Sequence, residues 1–484
     1  MKNKRIYMWN DTYIDKEKST VELVMHEPVK REAVFYHDEP WEDCTAIYHN
    51  IFYDNGKYRM YYLTRKKSKG KYVVDGPIIP GIICYAESDD GIRWKKPDLR
   101  LFSIQCDYFF GPIQDNNIVM DDSYDLLDNF FVFKDRNPNV PKSERYKGIG
   151  VSYRNSIDGK DVKLWCHISE DGIHFKKGWI ISAEGTFDSL NVIVWNNDKK
   201  KYYCYFRGVH KGEDGKDWRD IRYMTSDDFR KWSKPERVEF LNSDIDFQMY
   251  TNGIFNMVDN EDFFVGLATR YNERDKWTSN YDELCGKEKR IDEMKMSEPR
   301  SGLAITDCVL ISSYDGKYFY RFDEAFLRPS IEKKDNWVYG DCYPGIGIIK
   351  THANESDAPD EWSFYMPEGH ISKKPAPLYR YTIRQDGFAS VHSKYKRSTL
   401  LTTPFIYDGG ELFINFSTSA VGYIYISITD KDGIELKEYS SGELFGDNIN
   451  RHVTFEKSIE ELKNKDIRLK FVMSDADLYS FIFK

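Results

Sequence analysis

Residues 47–63 read IYHNIFYDNGKYRMYYL, two alternating runs of apolar and polar residues around the turn Asp54–Asn55–Gly56. Alternation with a period of two indicates β-strands, and an Asn-Gly pair between two such runs is a strong hairpin signal. Similar stretches occur at 192–207 (VIVWNNDKKKYYCYFR) and 253–270 (GIFNMVDNEDFFVGLATR). Helical periodicity is nearly absent, with one short turn expected at 457–464, so the chain is predicted to be all-β.

A second pattern, Ser-x-Asp-Gly-x-x-aromatic, follows these hairpins. Its full and reduced copies are SDDGIRW (88–94), SEDGIHF (169–175), SDDFRKW (226–232) and SYDGKYF (313–319). In such a turn the Asp side chain caps the backbone and Gly supplies a positive φ. Because each copy comes after a hairpin, the repeating unit has four strands, and this repeat predicts a β-propeller.

Five hairpins start the five predicted blades, at 47–63, 117–133, 191–207, 253–270 and 343–365. The sequence therefore predicts a five-bladed β-propeller at residues 35–391, with the N-terminal segment 1–34 packed on it. Alternating strands in 392–484 predict a C-terminal β-sandwich. A chain of 484 residues needs more than one core, since single cores stop growing at about 250–300 residues.

Composition excludes several classes of protein. Asp and Glu (79) outnumber Lys and Arg (70), whereas nucleic-acid binders usually carry a basic surplus. No apolar run approaches the roughly 18 residues that span a bilayer, and the start MKNKRIYMWND has no apolar core of a signal peptide. The eight cysteines contain no C-x-x-C pair, so free thiols in a cytoplasmic protein are expected.

Propeller geometry places the residues before each inner strand, and those after each second strand, on one rim. An acidic residue precedes the predicted inner strand in every blade. The residues at this rim include Trp41, Glu42, Asp43, Asp115, Asn116, Asn117, Asp135, Asp188, Arg207, Asp246, Tyr250, Arg270, Asp341 and Tyr343. The loops there are long, and function concentrates on long loops held by a rigid scaffold.

Crowded carboxylates push one another's pKa values apart, so one can act as an acid while another stays ionised. Paired carboxylates of this kind cleave glycosidic bonds. The alternative is that Asp and Arg side chains only neutralise each other around a hydrated axis. Trp41, Tyr250 and Tyr343 could stack on sugar rings, and the acidic funnel could also accept calcium, although no loop has a calcium-site spacing.

Several strings carry a family resemblance, namely YHNIFYDNGKYRMYY, CYAESDDGIRWKKP, DNNIV, WCHISEDGIHF, FDSLN and YRYTIRQDGFAS. They resemble the five-bladed furanosidase superfamily of glycoside hydrolase families 32, 43 and 68, and are most similar to bacterial family-32-like proteins. The resemblance implies three acids: a first-blade nucleophile or base, a middle stabilising Asp and a Glu acid/base. The corresponding candidates are Glu42 or Asp43, then Asp135 or Asp188, then Asp246 or Glu298, because no Glu-Cys motif occurs.

The function expected from these residues is hydrolysis of a glycosidic bond, furanosidic by the resemblance, in a small oligosaccharide or glycoside. The expected substrate-binding residues are Trp41, Asp115, Asn116, Asn117, Asp135, Arg207, Tyr250, Arg270, Asp341 and Tyr343. A glycan-binding propeller without activity is the main alternative, and a phosphorylase or transferase is the third. No cofactor, nucleic acid or membrane partner is expected.

Overall fold

The computed structural model describes residues 2–43, 45–65, 81–106, 111–124, 128–152, 162–257, 259–296, 299–369 and 376–484. Five antiparallel sheets form the blades of a propeller, so the predicted all-β class and blade count are confirmed. Blade 1 has the consecutive strands Ile47–Asp54, Lys57–Arg65, Gly81–Ser88 and Trp94–Lys95. Blade 3 has Val192–Asn196, Lys201–Lys211, Asp217–Ser226 and Glu236–Arg237.

Blade 2 begins later than its predicted hairpin. Its strands are Asp128–Lys134, Tyr146–Ser152, Lys163–Ser169 and Lys176–Ser182. The short strand Ile118–Met120 instead pairs with the third strand of blade 1. The prediction failed because Ile118–Met120 and Asp128–Lys134 alternate like the two arms of one hairpin, although they belong to different sheets.

The last two blades depart from a simple four-strand order. Blade 4 has a divided inner strand, Gln248–Met249 and Ile254–Met257, followed by Asn260–Glu273, Ala304–Ser313 and Tyr320–Arg321. Blade 5 has Ile349–Thr351, Glu361–Pro367 and Pro377–Ile383, and its fourth strand is the N-terminal Val29–Tyr36. The ring is thus closed by residues far apart in the chain.

The C-terminal region forms one continuous nine-stranded sheet. Two long strands, Leu412–Asp430 and Asp466–Phe483, pair along their length and carry the shorter strands at their outer edges. The shorter strands are Ile6–Tyr7, Glu22–Met25, Ala389–Ser393, Ser398–Leu401, Phe405–Ile406, Glu435–Ser440 and Asp447–His452. The predicted β-sandwich corresponds to this sheet and its own hydrophobic cluster. The N-terminal segment therefore contributes strands both to this sheet and to blade 5.

Short helices occur mainly in the long connection within blade 4. They are α1 (Ser279–Glu283), α2 (Lys287–Met296) and α3 (Pro299–Leu303). These helices were not predicted, because helical periodicity is nearly absent from the sequence. The expected turn near 457–464 is the 3₁₀ helix Ile459–Leu462, and two other 3₁₀ turns are Asp122–Tyr124 and Lys142–Glu144. Among the described helices none is long and apolar enough to cross a membrane.

The Ser-x-Asp-Gly turns join neighbouring blades. In the blade 2 turn, Asp171 Oδ1 accepts the backbone N–H groups of Ile173 and His174, both at 2.9 Å. Gly172 has φ +80° and donates its N–H to Ser169 Oγ. Its carbonyl accepts the hydroxyl of Tyr61 from blade 1 at 2.8 Å, and a Cβ at Gly172 would lie 2.6 Å from that hydroxyl oxygen. Glycine therefore permits both the turn and the contact between blades.

The same hydroxyl contact recurs around the ring. Tyr205 of blade 3 donates to the Gly316 carbonyl in blade 4 at 2.7 Å, and Tyr365 of blade 5 donates to the Gly91 carbonyl in blade 1. All three tyrosines are buried, and a buried tyrosine hydroxyl needs a hydrogen-bond partner. Part of the high tyrosine content is thus explained by contacts that fasten one blade to the next.

Candidate active site

Asp43 lies at the rim where the inner strand of blade 1 begins. Its Oδ1 accepts hydrogen bonds from the Thr45 backbone N–H at 2.9 Å and from the Thr45 hydroxyl at 2.5 Å. Burial raises the pKa of Asp43, although the hydrogen bonds from Thr45 and the charge of Arg65 act in the opposite direction. Asp43 is therefore a fixed carboxyl group whose protonated form is favoured relative to a free Asp.

Asp128 is a rim acid that the sequence analysis did not identify. It opens the true inner strand of blade 2, and its Oδ1 pairs with Arg65 Nη2 at 2.9 Å. Arg65 also donates to Thr45, so one guanidinium links the Asp43 loop to Asp128. Burial raises the pKa of Asp128 against the effect of Arg65, and the charge of Asp188 raises it further. The apolar run that follows Asp128, NFFVFK, was the available signal for an inner strand.

Asp188 precedes the inner strand of blade 3 and forms an ion pair with Arg207. The carboxylate is 67% exposed whereas the arginine is only 6% exposed. Arg207 lies with its guanidinium carbon 5.0 Å from the ring centre of Tyr250. Asp188 is thus an exposed carboxylate that is paired with a buried arginine.

Tyrosines from three blades surround this ion pair. Tyr250 stacks on Tyr271 and Tyr343, with ring centres 5.7 and 5.8 Å away, and its hydroxyl bonds to that of Tyr339. Tyr48 in blade 1 has φ +57°, and its pKa is raised by burial and by the charges of Tyr250, Asp128 and Asp188. These residues form a tyrosine cluster (Tyr48, Tyr250, Tyr271, Tyr339, Tyr343), in which Tyr271 and Tyr343 are buried and the other three are half-buried.

The structure thus brings together Asp43, Asp188, Arg207, Tyr250 and Tyr343 from the predicted set. Arg65, Asp128, Tyr48, Tyr271 and Tyr339 lie with them. Three carboxyl groups, one from each of the first three blades, occupy the same rim. Two of them are paired with arginines, and burial shifts the pKa of Asp43 and Asp128 upward. We refer to Asp43, Asp128 and Asp188 as the carboxyl triad.

Glu42 and Trp41 lie beneath the rim. Glu42 is fully buried, and its carboxylate accepts from Lys96 Nζ at 2.7 Å and from the Tyr62 hydroxyl. Trp41 is also buried and donates its Nε1–H to Asn117 Oδ1 at 3.0 Å. Both side chains are enclosed by these partners, so neither is exposed at the rim.

Asp115, Asn116 and Asn117 precede the strand that joins blade 1, so they lie away from the triad. Asp115 is exposed and pairs with Arg100 Nε at 2.7 Å. Asn116 and Asn117 are buried and donate to backbone carbonyls, including Phe102 O at 2.8 Å. Their contacts are those of residues that hold a loop in place.

Asp135 lies at the opposite end of the propeller, since it follows the inner strand of blade 2. Its carboxylate pairs with Lys147 Nζ at 2.5 Å and accepts the Tyr202 hydroxyl at 2.9 Å. Both ionic side chains are almost inaccessible to water, with exposures of 0% and 1%. The structure thus places Asp135 in a buried ion pair and away from the predicted substrate funnel.

Asp246 and Arg270 belong to charged groups between blades 3 and 4. Asp246 accepts from His210 Nε2 at 2.7 Å and from Arg237 at 3.3 Å. Arg270 pairs with both oxygens of Asp307 and donates to the Asp323 carbonyl at 2.7 Å. The neighbouring residue in the strand, Tyr271, points into the tyrosine cluster instead, as strand alternation requires.

Asp341 lies below the tyrosine cluster, and Glu298 lies outside the described residues. Asp341 is 6% exposed and accepts the Val338 N–H at 3.0 Å. Burial, opposed by this hydrogen bond, raises the pKa of Asp341 to about 6. In α2 the carboxyl group of Glu293 is also buried, and neither oxygen has a hydrogen-bond partner among the described residues.

Replacing Glu293 by Gln is expected to stabilise the protein at pH 8 but not at pH 4. Burial and, to a smaller extent, the charge of Asp341 raise the pKa of Glu293 from 4.5 to about 7. The charges of Lys289 and Arg290 act in the opposite direction. A raised acid pKa means that folding binds a proton, so stability falls as pH rises from about 4.5 to 7. The shift corresponds to roughly 3 kcal/mol.

Thermal unfolding at pH 4 and pH 8 measures this effect. Asp292→Asn, an exposed acid on the same helix, is the matched control and should leave the pH dependence unchanged. Equal pH dependence of Glu293→Gln and the unmodified chain would contradict the prediction.

A cavity with a volume of about 510 Å³ lies at the other end of the axis. Its walls are the lower halves of the inner strands and include Phe131, Trp195 and Phe255. None of the triad residues lines it. Within the described ranges, no group of three or more His, Cys, Asp or Glu side chains could hold a metal ion.

Comparisons of the fold with solved structures found glycoside hydrolases and a deacetylase. A glycosyl hydrolase from Bacteroides ovatus is 13% identical with a TM-score of 0.40, covering 74% of this chain and 93% of that one. The GH32 β-fructofuranosidase of Bombyx mori is 11% identical with a TM-score of 0.40, covering 94% and 95%.

An N-acetylgalactosamine deacetylase from F. plautii is 11% identical with a TM-score of 0.42, covering 75% of this chain and 96% of that one. No family model and no curated protein matches the chain.

Proposed function

We propose that the chain is a glycoside hydrolase whose reaction takes place between the carboxyl triad and the tyrosine cluster. The observation that carries this proposal is the convergence of Asp43, Asp128 and Asp188, from three successive blades, on one rim. Glycosidic cleavage needs one carboxyl group that donates a proton and one that is ionised. The triad contains carboxyl groups in clearly different surroundings, which is the condition for such a division of roles.

We assign proton donation to Asp43 and the ionised role to Asp188. Burial raises the pKa of Asp43, so it keeps a proton to higher pH. Asp188 is paired with the buried Arg207, and an adjacent cation favours a charged carboxylate. The resemblance found in the sequence implies the reverse for a first-blade Asp, namely a nucleophile or base. The dependence of the rate on the leaving group separates the two assignments.

Asp128 is assigned a supporting role between the other two acids. Its ion pair with Arg65 fixes it, and the charge of Asp188 helps to raise its pKa. A carboxylate beside the reacting carbon can stabilise the positive charge of an oxocarbenium-like transition state. In the tyrosine cluster, the half-buried Tyr48, Tyr250 and Tyr339 are the residues that could contact a sugar, through a ring or a hydroxyl group.

The substrate proposed is a small glycoside or oligosaccharide, and a furanoside is the first choice by the sequence resemblance. Aryl furanosides and pyranosides, together with short oligosaccharides, are the compounds to assay. The purified chain should release sugar from at least one of them. Asp43→Asn, Asp128→Asn and Asp188→Asn should each lower that activity, by about 10²–10⁴-fold for Asp43 and Asp188.

Asp115→Asn is the matched control, since Asp115 is an exposed, ion-paired Asp of the predicted set that lies away from the triad. It should retain full activity. Undiminished turnover in all three triad variants would contradict the proposal. Sugar binding without any turnover would instead favour the glycan-binding alternative.

A further inference from the structure

We propose that Arg219 forms a subsite for a carboxylate group, so that the substrate is an acidic sugar of the uronic acid class. This inference rests on the proposed function, because it names the substrate of the same site. Arg219 lies in the third strand of blade 3, with its guanidinium carbon 4.6 Å from the ring centre of Tyr271 and 5.4 Å from that of Tyr250. Tyr250 also contacts Arg207, the partner of Asp188.

Arg219 differs from the other two arginines of the site in its partners. Arg65 pairs with Asp128, and Arg207 pairs with Asp188. Arg219 has no ion pair with any described residue; its Nη1 donates at 2.7 Å to the neutral side chain of Gln248. Glu273 accepts from the Tyr271 hydroxyl at 2.9 Å and forms no ion pair with Arg219.

The chemistry of this position suits a planar anion. Arg219 is half-buried, and its guanidinium is positioned by two aromatic rings and one amide. Nε and Nη2 have no acceptor among the described residues. A guanidinium with free N–H groups in one plane binds a carboxylate through two parallel hydrogen bonds. A sugar packed on the tyrosine cluster could therefore present a carboxylate to Arg219 and its anomeric carbon to the triad.

Titration calorimetry at low salt tests this directly, with galacturonate and glucuronate as probes and galactose, glucose and the uronamides as neutral counterparts. At least one uronate should bind about tenfold to a hundredfold more tightly than its neutral counterparts, the range expected of charge-assisted hydrogen bonds. Arg219→Gln should remove that preference, and Arg219→Lys should restore only part of it. Equal binding of every uronate and its neutral counterparts would overturn the proposal.

Two further variants guard against indirect effects. Gln248→Glu places an acid beside Arg219 and should also lower the preference for the uronate, without removing the arginine. Lys216→Gln removes a positive charge from the exposed tip of the same hairpin and should leave the preference unchanged. A preference that survives both Arg219→Gln and Gln248→Glu would overturn the proposal, as would tight binding of galactose 6-sulfate or 6-phosphate alone.

Binding does not require turnover, so this test separates the two proposals. A uronate preference that depends on Arg219 supports the subsite even if no glycoside is hydrolysed. Hydrolysis of neutral glycosides combined with no uronate preference supports the catalytic site and overturns the subsite.

Discussion

Asp188→Asn is expected to lower kcat about 10²–10⁴-fold on every hydrolysed glycoside, whatever its leaving group. The amide cannot act as a base or attack the anomeric carbon, and these steps are needed for all substrates. Asp43→Asn should behave differently. Its loss should be similarly large for alkyl glycosides but small for dinitrophenyl glycosides, because such a leaving group departs without a proton. Steady-state kinetics on a series of aryl glycosides measures both effects.

The pH profile provides an independent check of the same roles. In the unmodified chain, the loss of kcat/KM at high pH should report the deprotonation of Asp43, whose pKa is raised by burial. Asp43→Asn should remove this alkaline limb. If instead Asp188→Asn shows the leaving-group dependence, the two assignments are exchanged, as the family resemblance implies. If both variants respond alike to the leaving group, neither acid is the proton donor.

Asp135→Ala is expected to destabilise the protein by about 3–5 kcal/mol, while KM stays unchanged. Its partner Lys147 is 1% exposed, so the variant leaves an ammonium group buried without its carboxylate. Breaking one half of a buried ion pair costs this much because the remaining charge is not solvated. Urea unfolding followed by tryptophan fluorescence measures the loss, and glycoside kinetics at low temperature measure KM.

The double variant Asp135→Ala/Lys147→Met is the control. Replacing both charges by apolar groups removes the unpaired ammonium, so most of the lost stability should return. Asp115→Asn provides the comparison at an exposed pair, for which an effect below about 1 kcal/mol is expected. A raised KM in Asp135→Ala would restore the substrate-binding role predicted from the sequence.

The repeated turn motif explains why the fold could be predicted without a structure. Each Ser-x-Asp-Gly turn ends a third strand, so its four copies mark the first four blades whatever the loop lengths between them. The site was less predictable, because a shift in the assignment of one strand changes which residues lie at the rim. The predicted start of blade 2 at residue 117 placed Asp115 at the funnel and Asp128 inside the hairpin. In the structure Asp128 starts the inner strand.

Side-chain direction was the second unpredictable element. Glu42 and Asp43 are neighbours, yet one is buried against Lys96 and the other faces the rim. Nothing in a single sequence separates these two neighbours, because they precede the strand. Arg270 and Tyr271 lie within a strand, where alternation places them on opposite faces but does not say which of the two faces the funnel. Arg219 could not be predicted for another reason. The second and third strands of blade 3 extend as a hairpin beyond the inner strand, and this extension places Arg219 over Tyr271.

Closure of the ring by the strand Val29–Tyr36 has a consequence for synthesis. This strand is made early, but its partner, Pro377–Ile383, leaves the ribosome only after almost all the propeller has been made. At about 5–20 residues per second, the delay is about 20–70 s. Throughout that time the nascent chain carries a strand without its partner, and such edges favour wrong pairing with other chains. The chain should therefore depend on chaperones during translation more than a protein of equal size built from sequential hairpins.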